Sequence, residues 1–404
     1  MSLSIIEGGK AKHGLGAKAT REDVLARARG LVPVLAARSA ECEKLRKAPD
    51  ATVQDYVDNG LLRVCQPARY GGYELGYDVL CEVAQILAEG CGSQAWVYMV
   101  LADNPLKLSA YDLTAQDDVW AQDDTKKLCV AVSAVGRATE VDGGVIWNGV
   151  HQFSSGIDHA DWVMCGGYVY GEDGKQARGL MALMPTSEVT IIDDWHVMGL
   201  AGTGSKSFEV KNVFVPAHRT LDKKLNDAGQ SPGTLYYTAP MTKLPRGGVS
   251  AVSYTAVCVG VAEGFLQNYI DFTAPRKSRG NAVADQVGIQ MGIGQGSAEI
   301  EAASRLYMGA VRETMEMLGR GETPSKLMGA QGKRNAAFAC QLAMGAVQKL
   351  FNAAGGRALY LDSVLQRQFR DCFAAAAHHS VVWDGAAAEY GKTALAVANA
   401  RLRN

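Results

Sequence analysis

Leu365-Gln-Arg-Gln-Phe-Arg-Asp-Cys-Phe-Ala-Ala-Ala-Ala-His-His-Ser-Val-Val-Trp-Asp384 is the stretch around which this 404-residue chain is organised. The alanine run favours helix and leaves little side-chain bulk beside it. His378 and Asp384 lie six positions apart, so one continuous helix would turn them to different sides. A break near the β-branched Val381-Val382 would let both face one pocket. Titratable groups beside a small-residue helix are what a large flat ligand needs. Ordinary interior packing has the same composition, so the surroundings decide between the two.

Working outward, the C-terminal half reads as long helical segments near 249–274, 283–319, 331–354 and 361–399, the lengths of an antiparallel four-helix bundle. Gly321-Glu-Thr-Pro-Ser325 and Gly355-Gly356 punctuate them, and 223–248, with its Gly and Pro, is the natural linker. Upstream, the character is β. Leu128–Ser133 is a short β-rich run, and Ala138–Asn148 carries an Asp-Gly-Gly turn between apolar arms, a hairpin signal. Trp162–Tyr170 with Leu180–Pro185, then Val189–Ile192 and Phe208–Pro216, complete a set that predicts a small antiparallel barrel or sandwich.

The first hundred residues predict helices again. Thr20-Arg-Glu-Asp23 fits a capping box at the head of a helix over 20–48, in which Pro33 marks a kink or junction. A second helix over Thr52–Asn59 stops at Gly60. A long one over 76–110 is expected to break near Gly90-Cys-Gly92 and again at Asn104-Pro105. The fold class is therefore α+β. An N-terminal α-helical domain (1–126), a central antiparallel β-domain (127–222) and a C-terminal helical bundle (223–404) follow in that order.

Hydrophobic residues make up 48% of the chain and charged ones 21%, ordinary for a globular protein. A formal net charge of -1 offers no electrostatic case for nucleic acid or an anionic membrane. The nine cysteines are scattered, without a CxxC or a metal-ligand spacing, and read as reduced thiols of a cytoplasmic protein. Met1–Lys10 lacks the features of a signal peptide, and no apolar segment has membrane-spanning length.

Several constellations have chemical potential. His151-Gln-Phe-Ser-Ser-Gly-Ile-Asp-His159 lies between strands. Its paired hydroxyls can bond a heterocycle edge or an oxyanion, or simply make a polar turn. Its two histidines make no metal motif by themselves. Gly199-Leu-Ala-Gly-Thr-Gly-Ser205 resembles a phosphate loop but lacks the lysine, so a bend or β-bulge accounts for it equally. Pro275-Arg-Lys-Ser-Arg-Gly280 is a solvated helix cap or a phosphate clamp. Trp96 and Asn104, eight apart, share one face of a predicted helix. There is no Gly-x-Ser-x-Gly elbow to support a serine hydrolase.

Taken in order, these pieces resemble the acyl-CoA dehydrogenase superfamily over nearly the whole chain. The resemblance is carried by Arg69-Tyr-Gly-Gly-Tyr73, Val132-Ser133, Phe153-Ser-Ser-Gly156, Gly199–Lys206, Val213-Phe-Val-Pro216, Arg276, Gln348 and Gly355-Gly356. Within it, Gly92-Ser-Gln-Ala-Trp-Val97, the Phe-Ser-Ser-Gly loop and Phe369–His378 are similar to signatures of the oxygenase components of two-component, reduced-flavin-dependent aromatic hydroxylases (group D flavin monooxygenases), of the 4-hydroxyphenylacetate 3-hydroxylase type. That family implies a homotetramer, a separate NAD(P)H:flavin reductase, and a C4a-hydroperoxyflavin formed from reduced flavin (FADH2 or FMNH2) and O2.

The resemblance also implies roles. Ser155 would bond flavin N5, with Ser154 beside it, and His378 would stand next to the oxygenated flavin. Ser133 would meet flavin or substrate, and Trp96 would wall the aromatic pocket. Arg276 and Gln348 match cofactor-binding positions that can reach a neighbouring subunit's flavin, and Gly355 and Gly356 match cofactor-binding positions as well. One departure stands out: relatives that hydroxylate phenols have His-Pro where this chain has Asn104-Pro105. Asparagine can bond a substrate but cannot act as a base near neutral pH, which tilts the expected substrate from phenols towards indoles. The rival reading is an acyl-CoA dehydrogenase using FAD, with Asp384 as the base. Its shorter side chain draws the carboxylate back by about one C–C bond from where a glutamate would hold it, and such a displacement costs a general base dearly.

Overall fold

A computed structural model describes residues 18–171, 173–244 and 246–403; the reading of Met1–Lys10 lies outside them. The N-terminal part folds as α1 (Arg21–Ala37), α2 (Ser39–Leu45), α3 (Asp50–Asp58), α4 (Tyr77–Gly90), α5 (Gly92–Leu108) and α6 (Leu113–Trp120). The capping box is present: Asp23 N–H donates to Thr20, and the Thr20 backbone N–H donates back to the Asp23 carboxylate. The expected break at Gly90-Cys91-Gly92 is real, with Cys91 extended. It lets helices approach closely, since a Cβ on Gly90 would sit 2.4 Å from the Val32 carbonyl oxygen. The expected break at Asn104-Pro105 is not: α5 runs through Pro105. Every residue of α5 except Lys107 is buried, and this packing on all sides holds the helix together across the missing N–H.

The middle of the chain forms β1 (Leu128–Val141), β2 (Gly144–Ser154), β3 (Trp162–Tyr170), β4 (Gln176–Pro185), β5 (Thr190–Ile192), β6 (Lys206–Pro216) and β7 (Thr220–Asp222). Among the described residues they make one seven-stranded sheet in the order β5-β6-β2-β1-β3-β4-β7. The pairings are antiparallel, as expected, except that β1 and β3 run parallel. The reason is the crossover after β2. It carries the chain back to the start of β1, where Asp161 and Trp162 N–H groups donate to the Lys127 carbonyl, so β3 sets out beside β1 in the same direction. Register shifts between Ala131, Ala134 and Gly136 bulge β1 outward at Val132-Ser133.

The C-terminal part holds the short helices α7 (Lys223–Asp227) and α8 (Pro232–Tyr236), then α9 (Arg246–Thr273), α10 (Val287–Gly319), α11 (Lys326–Ala354), α12 (Val364–Ala376) and α13 (Trp383–Arg403). The predicted fourth helix is thus two. A turn at His379–Val381 separates α12 from α13, which is the break that the sequence around Val381-Val382 suggested. A large apolar core joins α1–α5 to α9–α12, and a second core lies within the sheet. A third, with Leu108, Tyr111, Trp120, Leu128 and Met164, fastens α5 and α6 to the strands. No described helix is long and apolar enough to cross a membrane.

Candidate active site

His378 stands where α12 ends. Its Nδ1 accepts the Ser380 backbone N–H at 3.3 Å, which caps the following turn. Its ring stacks on Tyr254 of α9 at 3.9 Å and meets the edge of Trp96 of α5 at 5.5 Å. Burial, with a smaller contribution from His379, pushes the imidazole down to about 4, so His378 is neutral at neutral pH. Because Nδ1 accepts, the one proton of the neutral ring belongs on Nε2. His378 therefore offers a hydrogen-bond donor rather than a charge.

Trp96 ties this aromatic group to the β-domain. Its indole N–H donates to Ser155 Oγ at 3.1 Å. Ser155 Oγ lies 2.7 Å from Ser205 Oγ, and Ser205 Oγ lies 2.7 Å from Thr203 Oγ1, which donates to the Leu200 carbonyl at 2.8 Å. All of these side chains are buried. Two non-glycine residues near this chain hold left-handed backbone, Phe153 with φ 61° and Leu200 with φ 53°. Such conformations are sparsely populated and collect at functional sites. Phe153 is 67% exposed, with its ring edge-on to Trp195 at 6.1 Å. An exposed aromatic ring two residues from the buried Ser155 hydroxyl suits a flat heteroaromatic ring such as a flavin, which needs apolar cover and few polar handles.

The loop that bears Thr203 and Ser205 is docked onto α12. The Leu200 N–H donates to Asp371 Oδ1 at 2.6 Å, and a Cβ on Gly199 would sit 2.1 Å from the Arg370 carbonyl oxygen. Desolvation pushes the fully buried Asp371 carboxyl up to about 6. The helix that leads into His378 thus also anchors the hydroxyl chain.

The structure brings together three of the residues singled out in the sequence, His378, Trp96 and Ser155. It places others elsewhere. Ser154 is buried with its hydroxyl donating to Cys129 Sγ at 3.2 Å, because neighbouring strand residues point to opposite faces. Asn104 is fully buried, its amide donating to the Leu128 carbonyl at 2.8 Å and accepting from Lys107 at 3.0 Å. Both ends of that amide are engaged at the α5–β1 junction rather than with the His378 group. Ser133 is exposed on the β1 bulge.

Arg276 and Gly355 form a second group. Arg276 donates to the Ala354 carbonyl at 2.6 Å and lies against Gly355, with exposed Gly356 next in the chain. Gln348, exposed on α11, lines a groove of about 520 Å³ with Trp383 and Asp384. Asp384, exposed in the first turn of α13, therefore opens to this groove and not to the His378 group, so the break sends the two residues to different places.

Of the loop histidines, His151 is sealed in the sheet core, and His159 Nε2 bonds the Ala48 carbonyl at 3.0 Å. Among the described residues no cluster of His, Cys, Asp or Glu could hold a metal ion. Sequence reasoning missed Tyr254, Thr203, Ser205 and Asp371 as site residues. A carboxylate inside the apolar face of the alanine helix was the available signal for Asp371. Tyr254 had none.

Residues 252–383 match the family described as acyl-CoA dehydrogenase, C-terminal domain. The chain is 32% identical over 351 residues to the flavin-dependent monooxygenase oxygenase subunit HsaA of Rhodococcus jostii, covering 86% of this chain and 92% of that one. It is 28% identical over 371 residues to the p-hydroxyphenylacetate 3-hydroxylase oxygenase component of Acinetobacter baumannii, covering 90% and 86%. The crystal structure of 3-HSA hydroxylase from Rhodococcus sp. RHA1 superposes with a TM-score of 0.89 at 31% identity, covering 93% of this chain and 97% of that one. The neutral His378 beside a chain of buried hydroxyls suits this company better than the Asp384 of the dehydrogenase reading. The chain belongs to the oxygenase components of the two-component, reduced-flavin-dependent monooxygenases, built on the acyl-CoA dehydrogenase fold.

Proposed function

We propose that this protein hydroxylates a small aromatic compound, using O2 and reduced flavin handed over by a separate NAD(P)H:flavin reductase. The observation that carries the reading is Trp96. It bonds Ser155 on one side and meets His378 on the other, so one indole ties the hydroxyl and the imidazole donor into one group. Bound reduced flavin supplies the two electrons that activate O2. The residues do the rest. Ser155 fixes the ring edge, the Nε2–H of His378 bonds the oxygen side and governs its proton, and Trp96 with Tyr254 walls off water and packs the aromatic substrate. Ser133, on the exposed bulge of β1, faces the flavin or substrate from the β-domain.

Asn104, with one N–H and its oxygen engaged at the α5–β1 junction, offers no base, and His378 is committed as a donor. A substrate that is already nucleophilic, such as an indole, needs no base in this site, and we favour that class over simple phenols. Arg276, Gln348, Gly355 and Gly356 sit apart from the Ser155 group and serve the flavin of a neighbouring subunit in a homotetramer. The exposed Leu359, Tyr360 and Leu361 just beyond them suit a covered surface. Nine buried, unpaired cysteines suit a reducing cytoplasm.

The test supplies reduced FAD or FMN and isotope-labelled O2 to a panel of indoles and phenols and looks for label in the product. Labelled product supports the reading, and the panel identifies substrate class and flavin. Flavin oxidation that yields only hydrogen peroxide across the panel would sink it.

A further inference from the structure

We propose that Thr203 sets the direction of the hydroxyl chain ending on Ser155 and thereby helps this site tell reduced from oxidised flavin; this rests on Ser155 being the contact to flavin N5. A hydroxyl has one proton to give and two lone pairs to accept with. The Leu200 carbonyl can only accept, so its 2.8 Å bond takes the single proton of Thr203. The 2.7 Å bond between Thr203 and Ser205 is then donated by Ser205. With that proton used, the 2.7 Å bond between Ser205 and Ser155 is donated by Ser155. The indole N–H of Trp96 can only donate, and it fills one lone pair of Ser155. Ser155 is left with one lone pair and no proton.

The starting point of the chain is held in place. The Leu200 N–H is bonded to the buried Asp371, and its carbonyl also receives the Trp195 indole N–H at 3.2 Å and the Thr203 backbone N–H at 3.1 Å. Thr203, Ser205, Ser155 and Trp96 are between 1% and 8% exposed, so water has little access to reverse the order. Reduced flavin carries a proton on N5, and oxidised flavin carries a bare lone pair there. The remaining lone pair of Ser155 matches the first and opposes the second. Thr203 acts through Ser205 and Ser155, so it is a positioning residue. The consequence for turnover is that the site takes reduced flavin in the presence of oxidised flavin and lets the spent cofactor go.

The test measures dissociation constants for reduced flavin, under anaerobic conditions, and for oxidised flavin. It compares the parent with Thr203→Val, Thr203→Ser and Ser205→Ala. Thr203→Val and Ser205→Ala each free the Ser155 hydroxyl to donate. Each should lower the ratio of oxidised to reduced dissociation constants by about tenfold, the scale of one mismatched hydrogen bond. Thr203→Ser keeps the proton count and should keep the parent ratio. Folded variants that weaken both flavin forms equally, or leave the ratio unchanged, overturn the proposal, as does a parent with no preference. If Thr203→Val does not fold, Ser205→Ala decides. A parent that binds neither form strikes at the flavin reading itself, whereas a selective parent with unmoved variants strikes only at the hydroxyl chain.

Discussion

The imidazole of His378 lies face to face with the phenol ring of Tyr254, the centroids 3.9 Å apart and the planes 29° apart. One ring ends α12 and the other sits on α9, so the contact joins the helix that anchors the hydroxyl chain to the centre of the bundle. Tyr254 covers one face of the imidazole, and desolvation is the main reason His378 stays neutral down to about 4. Product formed per flavin oxidised should therefore hold from neutral pH down to about 5 in the parent. Tyr254→Ala admits water, raises the imidazole towards its ordinary value of about 6.5 and should bring the loss of coupling up to near that pH. Tyr254→Phe should keep the parent profile. Superimposable profiles for the Ala variant and the parent would show that the stack does not govern this proton.

Removing the imidazole separates oxygen chemistry from flavin binding. In His378→Ala the hydrogen-bond donor is lost while Ser155 and Trp96 remain. The share of flavin oxidation that ends as hydroxylated product should fall by roughly tenfold or more, with hydrogen peroxide making up the difference. The dissociation constant for reduced flavin should change by less than about threefold, since the bond lost is not one that holds the ring edge. Peroxide and product assays on the same sample decide it. Unchanged coupling would remove His378 from the oxygen side of the site.

Gly199 tests whether the Thr203–Ser205 loop must dock on α12. A Cβ there would lie 2.1 Å from the Arg370 carbonyl oxygen and 3.1 Å from the Ala374 Cβ, neither of which is a flexible side-chain end. Gly199→Ala should cost about 1–3 kcal/mol of stability, the usual range for overpacking, and weaken reduced-flavin binding as Leu200 is displaced. Gly391→Ala is the matched control. Nothing lies within 4 Å of a Cβ at that α13 position, so the variant should match or exceed the parent by about 0.5–1 kcal/mol. Denaturant midpoints and flavin titrations on both variants read the contrast, and equal midpoints would show that the loop tolerates an undocked Gly199.

Much of this could be read in advance because it is written locally. The capping box at Thr20, the hairpin at Asp142-Gly143 and the break near Val381-Val382 each depend on a few neighbouring residues, and each is present. Trp96, Ser155 and His378 were identifiable because they stand in stretches similar to a known family. What failed depends on contacts distant in sequence. Pro105 does not end α5 because packing around that helix outweighs one missing N–H. The amide of Asn104 is occupied by a carbonyl 24 residues away. Tyr254 reaches the site by stacking on Trp96 and His378 from other parts of the chain, and Ser205 by pairing with Ser155 fifty residues away, which no periodicity records.

Asp371 should make the protein less stable as the pH rises through its titration. Its carboxyl is raised from 3.8 to about 6 by burial. Between those values the folded state holds a proton that the unfolded state has lost, so stability is highest below about 4 and falls until about 6. The shift of roughly two units corresponds to about 3 kcal/mol. Asp371→Asn keeps an oxygen to accept the Leu200 N–H and removes the charge. It should raise the melting temperature near pH 7 and have little effect near pH 4. A variant less stable than the parent at both pH values would mean that the anionic bond to Leu200 outweighs the burial of the charge.

His151 has the opposite sign and lies far from any catalytic duty. It is fully buried in the sheet, with stacked contacts to Phe208 at 5.1 Å and Trp147 at 6.4 Å. Its Nε2 accepts the Trp147 indole N–H at 3.3 Å, while its Nδ1 has no partner. Desolvation lowers its imidazole to about 4, against about 6.5 in the unfolded chain. The unfolded state therefore binds the extra proton first. The contribution to stability is complete above about 6.5, shrinks as the pH falls and levels off below about 4, a total of roughly 3 kcal/mol. His151→Phe keeps a ring in the stack but removes the titration. It should start less stable at pH 7, because the Trp147 N–H loses its acceptor, yet lose less on acidification than the parent does. Denaturation curves at pH 7, 6, 5 and 4 give the two slopes. Parallel slopes would mean that the acid sensitivity of the fold arises elsewhere, with His378 the next group to test, since its lowered imidazole acts in the same direction.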